Sequence, residues 1–288
     1  MNQYIIETAA FAAHVLKHVS LGSVHSVYRK TINLSMGSHL VALQAAESPL
    51  SPISLITNLS QEEMQKLPVH SGDPVTTDGH QLKIFSNNIP VIFDLKRMSV
   101  FDSFLTDKPV ILPLSDIKQA LLLAQSGGLS ELFTEKKQKA SSDFGKEAFL
   151  AVAKKRLEDT RTLLHQALYE EACDPLVGML GLGIGLTPSG DDFLCGVLAG
   201  LLFSGHWEHP FARTLRMKLS RRLGNTNDIS RAFLSCALQR HFSRPVKDLP
   251  LSEDPHHILS LFGEIGHSSG IDTLCGIYFI SCYFSASA

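Results

Sequence analysis

Three aspartates stand out as residues that could do chemistry. Asp191 and Asp192 are adjacent, and Asp272 follows Asp192 by 80 positions. The first two lie in Gly181-Leu182-Gly183-Ile184-Gly185-Leu186-Thr187-Pro188-Ser189-Gly190-Asp191-Asp192-Phe193-Leu194-Cys195-Gly196, and the third in Ser269-Gly270-Ile271-Asp272-Thr273-Leu274-Cys275-Gly276. The two stretches share the pattern S-G-x-D-x-L-C-G, with six matches in eight positions. Each reads as a polar entry, a carboxylate in the first helical turn, then an apolar helix with small residues for close packing.

A helix start carries unsatisfied N–H groups and a partial positive charge, so it attracts anions. Thr187 is a good N-cap and Pro188 suits the first helical position, which predicts a buried helix from Thr187 to about Phe203. Gly183, Gly185, Gly190, Thr187 and Ser189 could cradle a phosphate or carboxylate, with Ser269 and Gly270 as their echo. The glycines could equally be no more than a strained connection. The aspartates could simply complement the helix dipole, each by about 0.3–1 kcal/mol. Set among glycines and apolar residues, however, an unpaired charge is costly. Asp191, Asp192 and Asp272 are therefore candidate catalytic residues. The equivalent pair Asp192 and Asp272 could hold Mg²⁺, fix an amide or place a general base. The spacing leaves these open. It matches neither the dinucleotide fingerprint nor a Walker loop.

Other residues could complete such a site. Thr226-Asn227-Asp228-Ile229-Ser230-Arg231 opens a helix, capped by Thr226 or Asp228. Arg231 is poorly placed for the helix dipole, so Ser230 and Arg231 are candidates for an anionic ligand. His267, just before the second motif helix, could serve as a general acid–base. His25 is the conspicuous polar residue of the β-rich region and could face the site from that domain. Arg221 and Arg222 fit the dipole of their own helix. His256-His257 has no metal-ligand spacing, and no H-E-x-x-H, C-x-x-C or nucleophile elbow occurs.

The whole chain narrows the classes. Its 288 residues can bury a large core, and 44% apolar content suits a soluble globular protein. A net charge of −2 gives no basic footprint for nucleic acid. Five scattered cysteines, most in apolar runs, predict buried reduced thiols and a cytoplasmic setting. The apolar runs Phe193–Phe203 and Leu274–Phe284 are too short to span a membrane, and the N-terminal residues do not read as a signal peptide.

The elements that must position these residues fall into an α+β arrangement. Residues 1–112 form a β-rich domain with an N-terminal helix over Tyr4–His18. About seven short strands are expected there, a small sheet or partly closed barrel, including Ser23–Asn33, Leu40–Ala45, Ile53–Thr57, Gln81–Phe85 and Val91–Asp94. Turns fall at Met36-Gly37-Ser38, Asp78-Gly79 and Asn87-Asn88. Residues 113–288 form an all-α domain. Its first helix, capped by Ser115-Asp116, runs to Gly127-Gly128. A long helix capped by Ser142 covers about Phe144–Glu171 and stops before Asp174-Pro175. Further helices are expected at Pro210–Leu223, Asp228–His241, Pro255–Ile265 and Ile271–Phe284.

Gly22-Ser23-Val24-His25-Ser26-Val27-Tyr28, the Gly183–Gly196 block, Thr226-Asn227-Asp228-Ile229-Ser230 and Gly266-His267-Ser268-Ser269-Gly270-Ile271-Asp272 together resemble the AllH-type family. The likeness spans nearly the whole chain. Where the family has two threonines near position 226, this chain has Thr226-Asn227. The resemblance implies a subunit of an oxamate carbamoyltransferase of anaerobic allantoin and purine breakdown, with AllF-like and AllG-like partner subunits. The implied reaction exchanges oxalurate and phosphate for oxamate and carbamoyl phosphate. A non-catalytic structural or regulatory subunit, or a Mg²⁺-dependent hydrolase, are the rival readings.

Overall fold

A computed structural model of the chain describes residues 3–86, 89–124, 128–133, 144–266 and 268–286. His267, Asn87-Asn88, Gly127 and Ser142 lie outside the described residues. The architecture is α+β: an N-terminal curled sheet followed by a helical region. The chain divides into two compact units, Met1–Phe104 with His241–Arg244, and Leu105–Arg240 with Pro245–Ala288.

The first unit holds nine strands among the described residues: β1 Ile5–Ala9, β2 Leu21–Val27, β3 Thr31–Met36, β4 His39–Gln44, β5 Ser54–Thr57, β6 Pro74–Thr77, β7 Gln81–Ser86, β8 Ile89–Asp94 and β9 Ser99–Phe101. They form one sheet in the order β8-β7-β6-β2-β3-β4-β5-β1-β9. The pairs are antiparallel except β4–β5 and β1–β9. Tyr4 bridges to Asp94, whose N–H donates to Gln3 O at 3.0 Å, so the β8 edge curls back to the start of β1. Alternation explains the strands. In β7, Leu82, Ile84 and Ser86 point inward and Phe85 outward. Gly37 and Gly79 take φ of +59° and +81° at their turns, a region that costs glycine nothing.

Two expectations here need correction. Tyr4–His18 is not one helix: β1 comes first, and only Ala10–His18 (α1) is helical. The reason is tertiary. β1 lies between β5 and β9, and the Thr8 hydroxyl donates to Ser54 O at 2.9 Å, so pairing overrides the helical spacing of the apolar residues. Ser23–Asn33 is not one strand either, because the chain turns at Tyr28–Lys30 between β2 and β3. A short helix, α2 (Gln61–Gln65), completes the unit, with a capping box between Ser60 and Glu63.

The second unit contains α3 Leu114–Leu123, a 3-10 turn at Gly128–Leu132, α4 Phe144–His165, α5 Tyr169–Val177, α6 Ser189–Phe203, α7 Pro210–Arg222, α8 Asp228–Leu238, the short α9 Arg244–Asp248, α10 Pro255–Gly263 and α11 Ser269–Ala286. The expected long helix is two, α4 and α5, broken where Ala167 takes φ of +56°. Pro175 sits inside α5 rather than ending it, in the last turn. Pro113 occupies the N-cap of α3, with no side-chain cap from Ser115. No helix among the described residues is long and apolar enough to cross a membrane.

α6 and α11 form the centre of this unit. Every residue of α6 except Cys195 is buried. The two helices touch backbone to backbone. A Cβ on Gly196 would run into the Thr273 carbonyl oxygen, and one on Gly276 into that of Phe193. The contacts exchange under the 80-residue offset (193 to 273, 196 to 276), so the helix pair is pseudo-symmetric. Gly200 meets Ile280 in the same interface. A side chain at 196 has no room, because backbone cannot step aside as a flexible side chain can. Gly196→Ala is therefore expected to lower stability by about 1–3 kcal/mol or more. Gly263, at the end of α10 with open space around it, should tolerate alanine or gain up to about 1 kcal/mol. Urea unfolding midpoints of the two variants check the contrast.

Candidate functional site

The starts of α6 and α11 are built alike. The Asp192 N–H donates to Pro188 O at 3.3 Å, and the Asp272 N–H donates to Ser268 O at 2.8 Å. Pro188 is thus the N-cap of α6, and Thr187 is not. The Thr187 hydroxyl instead lies 2.7 Å from Ser269 Oγ at the start of the other helix. Gly190 and Gly270 have no side-chain space: a Cβ would strike the Met179 and Phe262 carbonyls respectively. Their role in the structure is to let the helix starts dock against backbone.

The glycine loop before α6 takes positive φ at Gly181 (+73°), Gly183 (+127°) and Gly185 (+106°). A Cβ on Gly183 would lie 2.7 Å from Ser189 N. The Gly190 N–H donates to Leu182 O at 2.8 Å and folds the loop onto the helix start. Gly181 N–H donates to Asp191 Oδ1 at 2.7 Å. These two N–H groups therefore serve the loop itself, leaving less of a backbone cradle than the glycine spacing predicts. Ile184 and Leu186 at the tip are exposed.

Asp191 is a clamp. One oxygen takes the Gly181 N–H and the other the Thr226 hydroxyl, in a residue 1% exposed. It ties the glycine loop and the turn before α8 to α6. That turn is capped by Asn227, whose Oδ1 accepts the Ser230 N–H at 3.0 Å, in place of Thr226 or Asp228. Asn227 and Thr226 thus split two jobs, one capping α8 and one holding Asp191. Ser230 is buried, and its hydroxyl has no hydrogen-bond partner. Arg231 is half-exposed and pairs with Asp228 on its own helix.

Asp192 and Asp272 face each other across the helix pair. The Ser269 hydroxyl, on α11, lies near enough to act on the Asp192 carboxyl, and the Ser189 hydroxyl, on α6, on that of Asp272. The two straps exchange under the same offset (189 to 269, 192 to 272). Asp272 is also held by the Leu129 N–H, which donates to its Oδ1 at 2.6 Å. Gly128, at φ of +78°, makes that approach possible, since a Cβ there would lie 2.5 Å from the same oxygen. Gly128 and Leu129 escape sequence reading: the glycine pair at 127–128 signals only a helix stop, and no local pattern links it to a residue 143 positions on.

Burial pushes Asp192 well above the usual carboxylate range. The nearby Asp272 and Asp191 charges add to this, and the Ser269 and Thr187 hydroxyls oppose it. Burial likewise raises Asp272 to about 6, against the Leu129 N–H and the Ser189 and Ser268 hydroxyls, which favour its charged form. Ser189 and Ser268 lie near enough to act on the Asp272 carboxyl, yet its Oδ2, like Asp192 Oδ2, has no partner at hydrogen-bond geometry. Cys195 and Cys275, at equivalent motif positions, have thiols pushed up by burial and stay protonated. Among the described residues no group of three or more His, Cys, Asp or Glu side chains is placed to hold a metal ion.

A family model described as oxamate carbamoyltransferase subunit AllH matches residues 179–281, a span containing both helix starts. The AllH family N-terminal domain matches residues 5–97. The chain belongs to the AllH family. No solved structure matches it. Within this AllH-family chain the conspicuous motifs occupy distinct places. Asp191, Asp192, Asp272, Thr187, Ser189 and Ser269 converge at the two helix starts. His25 lies in the sheet unit, at a β-bulge between Val24 and Ser26, with Nδ1 3.0 Å from Ser26 Oγ. Ser26 Oγ in turn accepts from Asn33 Nδ2 at 3.1 Å.

Two outcomes follow from this geometry. The folded value of Asp272, about 6, exceeds the unfolded value near 3.9. Between the two the folded chain binds more protons than the unfolded chain. Asp272 therefore makes stability fall as pH rises from about 4 to about 6, and the loss persists above that. Relative to wild type, Asp272→Asn should gain on the order of 3 kcal/mol across that window, read from urea unfolding at a series of pH values. Thr226→Val leaves one buried Asp191 oxygen without its donor and should cost about 1–3 kcal/mol in the same assay.

Proposed function

We propose that this chain binds a small anionic substrate at the paired starts of α6 and α11, as a subunit of an enzyme that converts oxalurate and phosphate to oxamate and carbamoyl phosphate. The family supports the reaction. The observation that carries the location is the reciprocal aspartate pair, with one free buried oxygen on each side. In that reaction a phosphate oxygen attacks the ureido carbonyl of oxalurate, a C–O bond forms, and the C–N bond to the oxamate nitrogen breaks. The phosphate hydroxyl loses a proton and the departing nitrogen gains one. A carboxyl pair that keeps a proton near neutral pH suits that exchange. Thr187, Ser189 and Ser269 supply hydroxyl donors beside the pair, and the two helix starts favour negative charge developing on the substrate. The partner subunits would be AllF-like and AllG-like chains, in the cytoplasm.

Reconstitution with those partners, assayed for carbamoyl phosphate formed from oxalurate and phosphate, tests the reading. Asp192→Asn and Asp272→Asn should each reduce turnover by about 10²–10³-fold while the chain stays folded by circular dichroism. Full activity of the partners without this chain would sink it, and so would full activity of both variants. Full activity of the variants in a complex that still needs the chain for assembly would instead assign it a structural role.

A further inference from the structure

Two buried carboxyl oxygens of the helical unit, Asp192 Oδ2 and Asp272 Oδ2, have no hydrogen-bond partner. Both residues are more than nine-tenths buried, at 9% and 0% exposure. Each sits in the first turn of a long helix, of 15 residues for α6 and 18 for α11. Thr187, Ser268 and Ser269, whose hydroxyls act on the pair, are half-buried. A buried polar atom without a partner is costly, and two of them at two helix starts mark where a polar ligand would recover that cost.

We propose that an oxyanion, the carboxylate or phosphate edge of a small substrate, binds between these helix starts by accepting a hydrogen bond from protonated Asp192, and that its arrival draws a proton onto Asp272. This rests on the reading of the helix starts as the anion site. A carboxylate at Asp192 would repel such a ligand, whereas a neutral carboxyl donates to it. The bound negative charge then disfavours ionised Asp272, which acts on Asp192 from the other helix.

The groups facing the pair set the direction of the effect. Asp191 acts on Asp192 from the same helix, and Asp272 acts on it from α11. Asp272 meets the Leu129 N–H from the 3-10 turn, Ser189 from α6 and Ser268 from its own helix start. Cys195 and Cys275 lie one turn further along, with Cys236 of α8 acting on Cys195; all three remain neutral thiols. Lys118 of α3 and Arg161 of α4 act on Cys282, towards the far end of α11. Among the described residues the charges acting on the carboxyl pair are thus negative, and an added anion increases proton affinity there.

The full chain, alone and with its partner subunits, can be titrated calorimetrically with oxamate and with sulfate. Neither probe takes up a proton between pH about 6 and 8, so any uptake belongs to the protein. Repeating the titration near pH 7 in buffers of different ionisation enthalpy counts the protons. About 0.5–1 proton taken up per anion is expected, with affinity falling from pH about 6.5 to 8 at a slope approaching tenfold per unit. Oxamate or sulfate binding in this way supports the proposal, and the preferred probe tells whether a carboxylate or a phosphate-like edge is held. Asp272→Asn should keep binding and lose the slope. Binding that is flat with pH, with no proton uptake by wild type, overturns the proton linkage while leaving the anion site standing. Failure of wild type to bind either probe overturns the anion site, and the proposal with it.

Discussion

The approach of α6 to α11 without intervening side chains is the constraint on which the helical unit depends. Gly196 and Gly276 each receive a carbonyl from the opposite helix, so the two axes lie as near as backbone allows. Only at that separation can a serine in the first turn of one helix reach the carboxyl in the first turn of the other. The close packing and the chemistry at the helix starts are therefore one arrangement. The glycines fix the distance, and Ser189 and Ser269 use it.

Burying Asp192 and Asp272 works against stability. Each is held where its charged form is disfavoured, with an oxygen left unsatisfied. Their neighbour Asp191, also buried, differs: both of its oxygens are engaged, by Gly181 and Thr226. The contrast within two neighbouring residues is one of satisfaction: Asp191 has a partner for each oxygen and Asp192 keeps one without. A fold tolerates such incomplete satisfaction where function draws on it.

Much of this was legible in the residues. The S-G-x-D-x-L-C-G echo pointed to a matched pair of helix starts, and small residues at regular spacing pointed to close helix packing. Turn glycines marked the hairpins at Gly37 and Gly79. What escaped depends on distant partners. Ile5–Ala9 has helical spacing yet becomes an interior strand, because β5 and β9 flank it. Thr187 looks like a cap, but Ser269 of the other helix claims its hydroxyl. Pro175 looks like a stop, but α5 runs on through it to Val177, two residues from its end. Leu129 enters through a single backbone hydrogen bond that no local pattern announces.

The likeness of α6 and α11 is incomplete in a way that matters. Under the offset that relates them, Asp191 corresponds to Ile271, an apolar residue 2% exposed. One end is braced from outside by a loop and a threonine, and the other by a 3-10 turn. Two identical chains meeting on a true two-fold axis would be obliged to present equal ends and so favour a ligand with equal ends. Because both halves here belong to one polypeptide, each can change without the other. A duplicated scaffold can in this way become a lopsided receptor, able to tell the head of a molecule from its tail.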